Sequence, residues 1–192
     1  MRIVDAVPEL GQAVTVTSRG FVQPITDELV KDVANHLAGD IVLTLETDGG
    51  EVGGFATFRV DGELLYLAGA MIDPEHQRHS IGRRFISYAK ERTGCSYLGL
   101  RTQSPIMWAS GRRLCSTWVP DPDDQLFDGE LISFLDRAVG LCGSNASVDP
   151  GFYGSPLYGD KPLHSDPEIQ RWWDGICVFE NGDAVICVGR FK

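Results

Sequence analysis

Three apolar, β-branched runs, DIVLTLET (40–47), EVGGFATFRV (51–60) and ELLYLAGAMI (63–72), follow one another with only DGG and DG between them. Spacers that short, made of Asp and Gly, turn a chain back on itself, so the runs are expected to form an antiparallel meander. Pro74 then ends the third strand, and the hydrophobic period changes from two residues to 3.6. IGRRFISYAKERTG is expected to be a helix with Ile81, Phe85, Tyr88 and Ala89 on its buried face. A meander, a short turn and a helix in that order commit the chain to an α/β fold.

The flanks extend this plan. PITDELVKDVANHLAGD reads as a helix with Ile25, Leu29, Val30, Val33 and Leu37 in register, Thr26 as cap and Gly39 as stop. CSYLGLRT reads as a short strand, and SPIMWASGRRL as a short helix with Ser104 as cap and Pro105 in its first position. Helix following strand twice implies a partly parallel region beside the hairpins. Beyond Pro120, DGELISFLDRAVG is helical in pattern, and GSNASVDPGFYGSPLYGDKPLHSDPE reads as a long ordered loop or a lid. GICVFENGDAVICVGRF reads as two strands about Asn181-Gly182. The expected fold is one α/β domain over residues 1–192, a mixed, largely antiparallel sheet flanked by helices. Its core covers about 20–118, and an extension over 119–192 ends in a hairpin.

A chain of 192 residues that is 43% hydrophobic can bury one substantial core. It holds no apolar run near the roughly 20 residues of a membrane span. The stretch MRIVDAVPEL lacks the basic and apolar regions of a signal peptide. A cytoplasmic protein without a membrane partner is therefore expected. The five cysteines form no CxxC pair, so free thiols are expected and no metal site. The net charge of −10 argues against general nucleic-acid binding. It fits either a surface for cationic acceptors or a salt-adapted cytoplasm, which the presence of only four lysines slightly favours.

The charge is unevenly spread. Residues 1–74 carry 4 basic and 12 acidic side chains, and residues 114–174 carry 3 and 11. Residues 75–113 carry 8 and 2, a basic island that should meet an anion. Within it, QRHSIG opens the helix that begins at Ile81, where unpaired amides and the helix dipole converge on one point. Arg78, Arg83 and Arg84 add charge-assisted donors. The motif is neither a Walker loop nor the GxGxxG of a dinucleotide fold.

With AGAMIDPEHQRHSIGRRFISYAKE after hairpin strands, the chain resembles the cofactor segment of the GNAT superfamily of N-acetyltransferases over roughly residues 20–118. That family's motif is Gln or Arg, two residues, Gly, one residue, then Gly or Ala, after a strand ending in V-x-P. Gln77, Ser80 and Gly82 take its three places, and Ile72-Asp73-Pro74 takes the strand end. The resemblance implies acetyl-CoA, or another acyl-CoA, as cofactor. It places Ala70, Met71 and Ile72 along the pantetheine arm, and Gln77, Arg78, His79, Ser80, Ile81, Gly82 and Arg83 around the pyrophosphate. Ser80 departs from the pattern, and a positive φ there would cost roughly 1 kcal/mol or more.

The implied reaction is direct attack of an amine on the thioester, with a small-molecule or protein amine as acceptor and a homodimer as a possible assembly. The family commonly uses a strand glutamate as base and a tyrosine as acid. Here the tyrosine place falls near Gly111, leaving Ser110 and Cys115 as the nearest proton donors, and no base is assigned. Glu46, Glu51, His76 and His79 read as solvated or phosphate-side groups. The alternative function is a silent GNAT-like acyl-CoA sensor or scaffold.

Overall fold

The computed structural model describes residues 1–77, 79–123, 129–144 and 146–192. Arg78, expected at the phosphate turn, lies outside the described residues. These hold eight strands and six helices in an α/β fold whose strand pairing is largely antiparallel. They divide into two compact units, Met1–Val60 with Leu67–Thr93 and Asp61–Tyr66 with Gly94–Lys192.

The first unit runs β1 (Arg2–Asp5), α1 (Leu10–Phe21), α2 (Asp27–His36), β2 (Ile41–Glu46), β3 (Val52–Asp61), β4 (Leu64–Ile72) and α3 (Ile81–Thr93), except that Asp61 of β3 and Leu64–Tyr66 of β4 fall in the second. Its strand order is β1-β2-β3-β4, so the expected meander is present and β1 is added to its edge. Ile3 lies opposite Leu45, and Leu43 opposite Ala56. The Thr26 hydroxyl caps α2 by accepting from the Leu29 amide at 3.2 Å. Ala13, Val14 and Val16 of α1 pack with Val33 of α2, Phe55 of β3 and Met71 of β4. No sequence reading anticipated α1, because AVTVT favours a strand by its β-branching. Burial of Ala13, Val14 and Thr17 along one helical face overrides that preference. In α3 the buried positions are Ile81, Phe85, Ile86 and Ala89. Tyr88, expected among them, is exposed, since it falls at the border of the stripe that these four define.

The second unit contains β5 (Tyr97–Thr102), α4 (Pro105–Leu114), β6 (Cys115–Val119), α5 (Gly129–Leu141), β7 (Val148–Asp149), α6 (Pro167–Ile176) and β8 (Ala184–Phe191). β8 is its axis and pairs antiparallel with β5, β6 and β7, with Leu100 opposite Cys187, Trp118 opposite Gly189 and Val148 opposite Val185. The closing β7/β8 pairing spans a long connection. The run before Asn181, expected as a strand, is instead the end of α6 followed by a single 3-10 turn over Phe179–Asn181. Asn181-Gly182 still reverses the chain, with Gly182 at φ +73°, but the Gly182 carbonyl accepts from the Tyr153 amide at 2.9 Å. The glycine therefore joins the turn to the preceding loop instead of to an adjacent strand.

Two buried side chains pin that loop. Gln103 donates from Nε2 to the carbonyls of Phe179 and Asp183, each at 3.2 Å, and accepts from the Leu157 amide at 2.9 Å. Asp183 accepts from the amides of Gly151 at 2.9 Å and Val178 at 2.8 Å. Aromatic residues of the C-terminal extension form two groups. Trp172 and Trp173 pack on Trp108 with centroids 5.0 and 6.2 Å away, whereas Phe152 and Tyr153 surround the Arg101 guanidinium. His164 and Asp166 serve the start of α6, where Asp166 accepts from the amides of Glu168 and Ile169.

All five cysteines are free, and only Cys142 is not buried. Burial pushes the Cys177 thiol up to about 12 and raises that of Cys187 well above its ordinary value. A thiol reagent at pH 8 is expected to modify at most one cysteine in the native protein and all five in denaturant. Rapid native reaction of two or more would contradict this packing.

No helix among the described residues is long and apolar enough to cross a membrane. They hold no group of three or more His, Cys, Asp or Glu able to bind a metal ion.

Candidate active site

The site begins where β4 stops. The Asp73 amide donates to the Gly53 carbonyl at 3.0 Å, so pairing with β3 persists one residue past the strand. Asp73 is buried and caps the 3-10 turn Pro74–His76 by accepting from the Glu75 amide at 3.1 Å. Arg19 of α1 clamps this corner, with Nη1 3.0 Å from Asp73 Oδ2 and Nη2 3.1 Å from Glu75 Oε1. The sequence reading missed that clamp, although Asp73-Pro74-Glu75 is a strong local turn signal. Gln77 then folds back, its Nε2 donating to the Ile72 carbonyl at 3.1 Å.

α3 starts immediately afterwards. Its first i to i−4 bond joins the Arg84 amide to the Ser80 carbonyl at 3.1 Å. The amides of Ile81, Gly82 and Arg83 precede that bond and have no intrahelical acceptor. Ile81 is 2% exposed, so its side chain anchors the helix and only its main chain can serve a ligand. Arg83 donates from Nη2 to the Ser80 hydroxyl. Among the described residues no carboxylate pairs with Arg83 or Arg84. The rest of the basic island is partly neutralised elsewhere: Arg92 pairs with Asp5, and Arg112 with Asp121 and Asp123. Three convergent amides and two uncompensated guanidinium groups fit a phosphate-bearing ligand.

Ser80 has φ +57°, in the left-handed region. This is the place where the family pattern carries its first glycine, and the backbone explains why. A side chain in that conformation costs roughly 1 kcal/mol, which the Arg83 contact partly offsets. Ser80→Gly is expected to raise stability by about 0.5–1 kcal/mol while keeping the turn amides in place, as a thermal melt would show. A fall in stability would contradict the strain.

Of the other expected residues, Ala70, Met71 and Ile72 form the end of β4, with Met71 buried and the other two half-buried. Met71 belongs to the core with α1 and α2, so its contribution to any ligand is main-chain. His79 is exposed. The structure thus groups Ala70 to Ile72, Gln77 and His79 to Arg83 along one strand end and helix start. Ser110 and Cys115 belong to the second unit. The Ser110 hydroxyl donates to the Ile106 carbonyl at 2.9 Å, one turn back along α4. Cys115 is 5% exposed and borders an open recess of about 330 Å³ with Arg112, Trp118, Asp121 and Asp123.

A strand thus leads through a capped turn into a helix whose first amides have no intrahelical acceptor. Residues 15–107 match the acetyltransferase (GNAT) family. Three solved structures share the fold. The ribosomal-protein-S18-alanine N-acetyltransferase from Escherichia coli has a TM-score of 0.53 at 16% identity, covering 100% of this chain and 94% of that one. An aminoglycoside 6'-N-acetyltransferase complexed with coenzyme A gives 0.52 at 13%, covering 99% and 97%. Aminoglycoside 6'-acetyltransferase type Ii gives 0.50 at 16%, covering 64% and 89%. Among curated proteins, none matches the chain's sequence significantly.

Proposed function

We propose that the protein is an acyl-CoA-dependent N-acyltransferase that transfers acetyl from acetyl-CoA to an amine by direct attack. The observation that carries this reading is the start of α3, where the amides of Ile81 to Arg83, with Arg83 and Arg84 paired to no carboxylate among the described residues, can receive a diphosphate. The family match and a structural neighbour complexed with coenzyme A support the same ligand. Ala70, Met71 and Ile72 hold the pantetheine arm through main-chain groups, and Gln77 keeps the strand end in place. When bound, acetyl-CoA supplies an acyl carbon activated as a thioester. The chain's own contribution is to fix that carbon, exclude water and move protons. The acceptors named for the structural neighbours, an alanine of ribosomal protein S18 and an aminoglycoside, define the first compounds to try.

The rival reading, an acyl-CoA sensor without turnover, is favoured by the engagement of the Ser110 hydroxyl with Ile106 and by the burial of Cys115. Calorimetric titration with acetyl-CoA, run beside a thiol-release assay on an alanine-terminated peptide, an aminoglycoside and spermidine, separates the two. Binding with CoA release supports transfer, binding without release supports sensing, and absence of binding overturns both.

A further inference from the structure

One titratable side chain of the first unit stands against the strand assigned to the pantetheine arm and has no part in the site so far. His36 lies in the last turn of α2, its side chain 22% exposed. Its Nδ1 is 2.9 Å from the Asp32 carbonyl and 3.5 Å from Asp32 Oδ2. Because a carbonyl only accepts, that contact places the ring proton on Nδ1 and leaves the Nε2 lone pair free. Among the described residues Nε2 has no hydrogen-bond partner.

The ring lies over Gly69 of β4. A Cβ at that position would stand 2.8 Å from His36 Cδ2, 3.4 Å from Nε2 and 3.4 Å from the Met71 methyl. The missing side chain at Gly69 is therefore what lets the imidazole lie on the strand backbone. The next three residues, Ala70 to Ile72, are those assigned to the arm. Among the described residues Asp32 is the one charged group paired with the ring. A histidine that merely closed a helix end would need neither the bare strand position beneath it nor an accessible, unpartnered Nε2.

We propose that His36 is the proton acceptor for the amine, oriented by Asp32 and admitted by Gly69; the proposal rests on the transferase reading above. Nε2 takes one proton from the acceptor ammonium. The freed nitrogen pair forms the C–N bond to the thioester carbonyl carbon as the C–S bond breaks and sulfur leaves as thiolate. The second N–H proton, lost as the amide forms, neutralises that thiolate, and the proton on His36 returns to solvent. No oxidant or further reactant is needed.

The test combines two readouts on the full chain. Nitrogen-15 NMR of the ligand-free native protein reports the His36 tautomer, and protonation at Nδ1 is expected. Neutral His36 protonated at Nε2 overturns the proposal whatever the activity. His36→Gln keeps an N–H donor in the side chain but removes the base. Against the best acceptor among the alanine-terminated peptide, the aminoglycoside and spermidine, its kcat is expected to fall about 100-fold or more. KM for acetyl-CoA should stay within about twofold, and the pH profile of kcat should change shape. Gly69→Ala, which displaces the ring with Asp32 intact, should lower kcat in the same direction. Native turnover with His36→Gln within about threefold and an unchanged pH profile would overturn the base alone. Calorimetric binding of acetyl-CoA with no thiol release from any of the three amines would overturn the transferase reading and the base with it.

Discussion

Asp183→Ala is expected to destabilise the protein by about 3–4 kcal/mol, the largest loss from any single replacement outside the apolar core. The carboxylate is 4% exposed and accepts from two main-chain amides, Gly151 at 2.9 Å and Val178 at 2.8 Å. Alanine removes the charged acceptor shared by both donors, and a hydrogen bond to a charged group is worth about 1.5–3 kcal/mol. Asp183→Asn retains one acceptor oxygen and should cost roughly half as much. Gln103→Ala should resemble Asp183→Ala, because Gln103 holds the same loop from the β5 side through three hydrogen bonds. The pair should be less than additive, since both replacements release one segment. Denaturant melts of the two single variants and the double variant check this. Full additivity would mean that the two side chains act on separate parts of the loop.

Charge reversal at the start of α3 should act on binding instead of stability. Arg83→Glu with Arg84→Glu removes two guanidinium groups that no described carboxylate neutralises and places two negative charges beside the open amides. A charge-assisted hydrogen bond is worth about 1.5–3 kcal/mol, so losing even one and adding repulsion should weaken coenzyme A at least about 100-fold. Arg84 is exposed and Arg83 half-buried, so the melting temperature should change little. Affinity that survives the double reversal would mean that the diphosphate sits elsewhere. The lost affinity should also be the salt-sensitive part of the native affinity, because it is electrostatic.

What the sequence disclosed depended on how locally each feature is determined. The meander β2 to β4, the capped α2 and the turn before α3 are set by short-range signals, namely Asp-Gly turns, Thr26, Pro74 and period changes. They were legible residue by residue. α1 was not, because Val14, Thr15, Val16 and Thr17 are β-branched, and the helix is held by Ala13, Val14 and Val16 packing with Val33, Phe55 and Met71. Asn181-Gly182 misled for a related reason: the turn exists, but Gln103 and Asp183 settle what lies on its near side, and they are brought there by contacts far apart in sequence.

The same distinction runs through the candidate site. The Gln77, Ser80 and Gly82 pattern is contiguous and was read directly, including the penalty attached to Ser80 should its φ be positive, as it is. The Arg19 clamp on Asp73 links residues 54 positions apart, and His36 meets Gly69 across 33 positions. Neither pair leaves a local signature. In hindsight Asp32 and His36, one helical turn apart at the end of an amphipathic helix, were a visible hint, but one equally common at ordinary helix ends.

The central claim is that main-chain donors at the start of α3 grip the diphosphate of coenzyme A. Its most direct test is an amide-resolved NMR titration of the native protein with coenzyme A. The amide resonances of Ile81, Gly82 and Arg83 should shift downfield together and saturate with the calorimetric affinity. Binding that leaves these three amides unmoved would contradict the claim.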